Sequence, residues 1–241
     1  MCGLFCIISK NDYGFTDKQL TIFSQGLFAD TLRGEDSTGV FSVTKAGNVH
    51  TIKDAIPGNK FIKDKIFDDF MKNQYLYSKI LVGHNRSATR GVKTDKNAHP
   101  FISGNIVLVH NGTLLCHQHL ANTNSDSEAI CVALDKKENP IHILSELEGA
   151  FALIWYNAKT KQFHVSRNNQ RPLWILETDH YDIIGSEAKL LEWINWRNGG
   201  KDVEAKYFEE NMLYTWNLDT VENGFENTTK YEKKKSKYLS S

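Results

Sequence analysis

What the chain lacks narrows its function before any motif is read. Across 241 residues Lys plus Arg equals Asp plus Glu, so the formal net charge is zero. A neutral chain has no overall basic field to draw it onto nucleic acid or an anionic membrane. No apolar run approaches the ~20 residues of a membrane-spanning helix. Met1-Cys2-Gly3 leads straight into a short apolar strand, without the basic start and apolar core of a signal peptide, and the expectation is a cytoplasmic protein. The four cysteines (Cys2, Cys6, Cys116, Cys131) include no CxxC pair, and without an export signal a disulfide framework has no support. Cys116-His117-Gln118-His119 is too local to close a tetrahedral zinc site unaided. Cys6 and Cys131 therefore read as buried free thiols. No internal repeat is evident.

What is present is an ordinary globular composition, 40% apolar and 24% charged, long enough for one large domain or two small ones. Thr16 is placed to cap a helix whose apolar residues Leu20, Ile22, Phe23, Leu27, Phe28 and Leu32 follow at helical spacing, with a stop at Gly34. Ser125 or Asp126 is placed to cap a second helix covered by Ile130, Val132, Ala133 and Leu134. Residues 39–53 read as a hairpin with a Gly-Asn turn, and "KILVGHNRSA" and "NIVLVHNGTL" as strands. Two more hairpins follow, over 150–167 and 172–187, and then a short helix from Ala188 to Trp196. Paired strands separated by few helices argue an α+β fold rather than a doubly wound one. Residues 1–225 read as a single domain. Residues 226–241 read as a polar, Lys-rich tail, frayed or loosely docked.

Three stretches place polar residues where strands hand over to loops: "GHNRSATRG" at 83–91, "NAHPF" at 97–101 and "VHNGTL" at 109–114. Taken alone, "HNG" also suits a hairpin or tight turn, and "NAHP" an extended X-Pro loop. Cys2 changes their weight. Once Met1 is removed, which the small following residue favours, Cys2 carries a thiol and a free α-amine. The amine, with a reference pKa of ~7.7–8.0, can take the thiol proton near neutral pH. Asn111-Gly112 then offers a side-chain amide and an unhindered backbone N–H to a tetrahedral oxyanion.

With these motifs in place the chain resembles the class II glutamine amidotransferase domain of the N-terminal-nucleophile hydrolases. That family starts with Met-Cys-Gly. Its "RGxDSxG" segment is Arg33-Gly34-Glu35-Asp36-Ser37-Thr38-Gly39 here, and its "GHxRxATxG" segment spans Gly83 to Gly91. "NAHP" and "HNG" stand unaltered at 97–100 and 110–112, and Ser125-Asp126-Ser127-Glu128 matches the family's helix start. "GAFAL", "RNNQRPL" and "GSEAKLL" extend the match, in the family's order, to about Leu191.

The resemblance implies a four-layer α-β-β-α sandwich and assigns roles. Cys2 is the nucleophile that forms a γ-glutamyl thioester, and Asn111 and Gly112 hold the oxyanion. Arg86 pairs with the substrate α-carboxylate, Asp126 receives its ammonium, and Thr89 and Arg90 line the pocket. Arg33, Asp36 and His99 are structural supports, and Arg167 and Arg171 packing or ion-pair residues. No cofactor and no metal are implied. Ser87 departs from an aromatic common in the family and leaves room for a larger γ-glutamyl compound. The usual "RDPxGxRPL" becomes "RNNQRPL" (167–173), losing its Asp and Gly.

Only about 50 residues follow the last motif, too few for an ammonia-accepting domain. Trp193, Trp196, Tyr207, Phe208, Tyr214 and Trp216 among them are expected to complete the same core. The expectation is a stand-alone amidotransferase that takes glutamine and delivers ammonia in trans to a separate synthetase subunit, with no nucleic-acid or membrane partner. Two alternatives remain open: a hydrolase of other γ-glutamyl amides, and an idle regulatory or binding module of the same fold.

Overall fold

The computed structural model describes residues 2–74, 77–87 and 97–234. Its strands in the first half are β1 (Gly3–Ser9), β2 (Ser37–Thr44), β3 (Val49–Asp54), β4 (Ser78–Arg86), β5 (Phe101–Ser103) and β6 (Ile106–Leu114). The second half adds β7 (Gly149–Asn157), β8 (Gln162–Arg167), β9 (Trp174–Glu177), β10 (Tyr181–Gly185), β11 (Lys206–Tyr207), β12 (Met212–Asn217) and β13 (Asn227–Lys230). The helices are α1 (Asp17–Ala29), α2 (Gly58–Phe61), α3 (Lys65–Gln74), α4 (Asp126–Lys136), α5 (Pro140–Glu146) and α6 (Ala188–Arg197).

The strands form two antiparallel sheets, ordered β11-β9-β10-β1-β4-β2-β3 and β13-β12-β8-β7-β6-β5. Alternation along each strand decides which side chains meet between them. Leu4, Cys6 and Ile8 of β1 join Ile80 and Val82 of β4, Val107 and Val109 of β6 and Ala152 and Ile154 of β7 in one core between the sheets. The opposite face of the first sheet buries Phe5, Ile7 and Val40 against Phe23 and Leu27 of α1 and Leu191 of α6. The outer face of the second sheet buries Leu108, Phe151 and Leu153 against Ile130 and Leu134 of α4 and Ile143 of α5. The layers therefore run α-β-β-α, as the resemblance implies.

Local sequence explains where the helices start. Thr16 and Gln19 close a reciprocal capping box on α1, and the Ser125 hydroxyl accepts the Glu128 N–H at the start of α4. The expected end of α1 needs correction. The helix stops at Ala29 and the chain tightens into a 3-10 turn over Asp30–Arg33. Three residues per turn breaks the helical phase, so Leu32 is 92% exposed rather than extending the buried stripe, while Phe28, still within α1, is half-exposed. The sequence reading also passed over α3, whose buried Phe67, Phe70, Met71 and Gln74 do fall at helical spacing. The polar stretch from 226 is docked, not frayed, as far as Lys234. β13 pairs with β12, Tyr231 is buried, and Lys233 Nζ donates to Leu144 O and Leu147 O at the end of α5.

Of the late aromatics, Phe208, Tyr214 and Trp216 lie in the inter-sheet core, whereas Trp193, Trp196 and Tyr207 are exposed. Trp216 is fully buried, edge-on to Phe163 at 5.6 Å and to Phe225 at 5.4 Å. Trp216→Ala is expected to cost ~3–5 kcal/mol, read as a lower urea midpoint at unchanged slope. A loss below ~1 kcal/mol contradicts an integral role for β12.

Candidate active site

Alternation brings the candidate residues together. Cys2 precedes β1 in the same phase as Leu4 and Cys6, so its side chain faces the space between the sheets. Arg86 continues the phase of Ile80 and Val82 at the end of β4, and Asn111 that of Val107 and Val109 in β6. β1 lies antiparallel beside β4 with Gly3 opposite Asn85, which sets the start of one strand beside the end of the other. All three side chains thus face one end of the inter-sheet space.

The thiol is held by backbone. Ser87 N–H donates to Cys2 Sγ at 3.4 Å, and the thiol lies 3.7 Å from Ser87 O. Burial pushes the Cys2 thiol up, opposed by the Ser87 N–H and by the charges of Arg86 and Arg171. It is therefore a neutral thiol at neutral pH and needs a base. The nearby histidines serve poorly. Burial pushes His84 down to about 3 and lowers His99 and His110 as well. They are packing elements instead. His99 stacks on His84 at 3.9 Å and stands edge-on to Phe101, and His84 Nε2 bonds His110 O across the sheets at 3.1 Å.

Asn111-Gly112 follows the strand reading and not the alternative turn, since both residues lie inside β6, opposite Ala152 and Phe151 of β7. Cross-strand pairing outweighs the pair's ease in turns. Asn111 is 1% exposed, and its Nδ2 has no hydrogen-bond partner among the described residues. At Gly112 any side chain is excluded, because a Cβ would stand 2.0 Å from Ala150 O and 2.5 Å from His110 Nε2.

Asp126 begins α4, and backbone fixes its carboxylate. Leu114 N–H donates to Oδ2 and Ser127 N–H to Oδ1, both at 2.9 Å. A carboxylate accepts more than two hydrogen bonds, so it keeps capacity for an ammonium. His110 Nδ1 lies 3.0 Å from Ser127 Oγ and ties this helix start to the residue before Asn111.

The supports are partly visible. Arg33 Nε–H donates to Cys2 O at 3.1 Å, and its Nη1 pairs with Glu187 Oε1. Asp36 N–H donates to Arg86 O at 3.0 Å, and a Cβ on Gly34 would stand 2.4 Å from the Arg86 carbonyl carbon, so the 33–36 segment packs on the pocket strand. Lys53 Nζ holds Ala98 O and Pro100 O beside His99. Arg167 pairs with Tyr207 and Glu210, whereas the charge of Arg171, read as packing, reaches the thiol. Thr89 and Arg90 lie outside the described residues. Sequence reasoning missed Ser87 N–H, which any residue type supplies, and Glu187, whose partner only the fold shows.

The layer order is α-β-β-α, with Cys2 immediately ahead of its first strand. It is shared with the glutamine phosphoribosylpyrophosphate amidotransferase of B. subtilis, at TM-score 0.71 and 20% identity over 95% of this chain and 49% of that one. Residues 84–192 match the family model described as glutamine amidotransferase domain. Two curated relatives are glutamine–fructose-6-phosphate aminotransferases. The Wigglesworthia glossinidia brevipalpis protein is 32% identical over 149 residues, covering 58% of this chain and 23% of that protein. That of Leifsonia xyli is 28% identical over 208 residues, covering 78% and 32%. The chain thus spans a third or less of the length of these two relatives. Among the described residues no helix is long and apolar enough to cross a membrane.

Proposed function

We propose that this domain hydrolyses the side-chain amide of glutamine through Cys2 and delivers the ammonia in trans to a separate synthetase. The carrying observation is the placing of Cys2, Arg86 and Asn111 at one end of the inter-sheet space, with Asp126 fixed to the end of β6. A free amino acid is a zwitterion, and Arg86 and Asp126 provide one cation and one anion for its two α-groups. With Met1 removed, the α-amine takes the Sγ proton as sulfur bonds to the amide carbon. The electron pair shifts to oxygen, which is met by Asn111 Nδ2 and Gly112 N–H. The ammonium then returns the proton to nitrogen, the C–N bond breaks, and ammonia leaves a γ-glutamyl thioester. Water, deprotonated by the same amine, attacks that thioester to give glutamate and restore the thiol.

Two relatives that are aminotransferases for fructose 6-phosphate support ammonia transfer. The test is ammonia release from L-glutamine by the mature protein, alone and with a candidate synthetase. Release is expected alone, and faster with the acceptor present. Arg86→Met is expected to raise KM roughly 10–100-fold, more than it lowers kcat, because a charged hydrogen bond of ~1.5–3 kcal/mol is lost in both bound states. An unchanged KM contradicts Arg86 as the carboxylate partner.

A further inference from the structure

The turn beneath the nucleophile holds a buried acid that this chemistry does not use. Asp30 is 1% exposed, and neither carboxylate oxygen has a hydrogen-bond partner among the described residues. It lies against β1 from the helical side, where a Cβ on Gly3 would stand 2.7 Å from Asp30 Cγ and 2.8 Å from Oδ2. Only glycine at position 3 admits a carboxyl there. Three residues on, Arg33 holds Cys2 O through Nε and Glu187 through Nη1, while its Nη2 is buried with no hydrogen-bond partner among the described residues. One 3-10 turn therefore carries an unpaired acid and an unpaired guanidinium N–H. Burial pushes the Asp30 carboxyl up to about 8, Arg33 pulls it down, and Glu187 adds to the rise. Among the described residues, those two are the charged groups that bear on it. β1 meets it with Gly3, and α1 with the backbone carbonyls of Gly26 and Phe28, which accept the Asp30 N–H.

We propose that Asp30 is a positioning residue for Cys2. Protonated, it leaves Arg33 on Cys2 O; ionised, it draws the guanidinium away and slackens the nucleophile. The proton passes to solvent, and the new carboxylate takes the Arg33 N–H groups in a charge-assisted pair. The acid ionises far less readily folded than at its unfolded reference of ~3.9. Its contribution to stability is therefore fully present below that reference and is lost as pH rises through about 8. The effect on rate rests on the glutaminase reading, whereas the exchange of Arg33 partners does not.

The experiment follows kcat and KM for ammonia release against pH in wild type and Asp30→Asn, and records the Arg33 15Nε–H resonance over the same range. Expected is a wild-type fall in kcat, roughly tenfold one pH unit past the midpoint, with little change in KM. The Arg33 resonance should move with the same midpoint, and both transitions should vanish in Asp30→Asn. Superimposable alkaline limbs, or an Arg33 resonance that does not move in wild type, overturn the proposal. An Arg33 transition without ammonia release at any pH supports the exchange and removes the glutaminase reading. Should Asp30→Asn fail to fold, the wild-type resonance decides alone.

Discussion

Cys2→Ala is expected to abolish ammonia release from glutamine, with a fall of at least ~10⁴-fold in kcat/KM, because removing a nucleophile leaves only binding and oxyanion stabilisation. The same loss is expected in protein that retains Met1, although its thiol is intact. Burial keeps the thiol protonated, and the buried histidines are held neutral and weakly basic. In the proposed mechanism the base is the α-amine, and an amide at that nitrogen cannot accept a proton. For the mature protein the sign of the acid limb follows: kcat/KM rises as the amine loses its proton near ~7.7–8.0, ahead of the alkaline fall expected from Asp30, so Asp30→Asn shows this limb by itself. Ammonia assays on the two preparations, each verified by intact mass, check both statements. Full activity with Met1 retained contradicts the amine as base.

The second large effect is expected at Asn111. Asn111→Ala should lower kcat by roughly 10²–10³-fold, about 2.7–4 kcal/mol of transition-state stabilisation, with KM changed far less. A buried amide N–H without a partner costs stability at rest, and Asn111 Nδ2 is such a group. The variant should therefore melt no lower than wild type. Strand pairing supports this, because Asn111 is held in β6 opposite Ala152 through its backbone, which alanine keeps. Loss of activity together with a large drop in melting temperature contradicts the oxyanion role and makes Asn111 a packing residue.

Much of this was legible where local chemistry fixes local structure. Thr16 with Gln19 and Ser125 with Glu128 mark helix starts that the fold keeps. The alternating runs around Ile80 and Val107 are strands, and their phase predicts which side chains meet. What stayed hidden depends on partners distant in sequence. Asn111-Gly112 taken alone suits a turn as well as a strand, and the pairing with β7 decides for the strand. Leu32 reads as core until the chain tightens at Asp30. Asp30 is indistinguishable from other acids in a chain that holds 29 Asp and Glu residues, because its burial depends on Gly3 passing close by. The thiol's donor, Ser87 N–H, is backbone and leaves no mark on residue type.

The central claim, that the thiol of Cys2 attacks the glutamine amide, is tested most directly by quenching the mature protein with glutamine within a turnover and mapping its cysteines by mass spectrometry. The account predicts a γ-glutamyl group on Cys2 alone, appearing with the burst of ammonia and decaying to free thiol. Ammonia release with no adduct on Cys2, or an adduct on Cys6, Cys116 or Cys131, contradicts it.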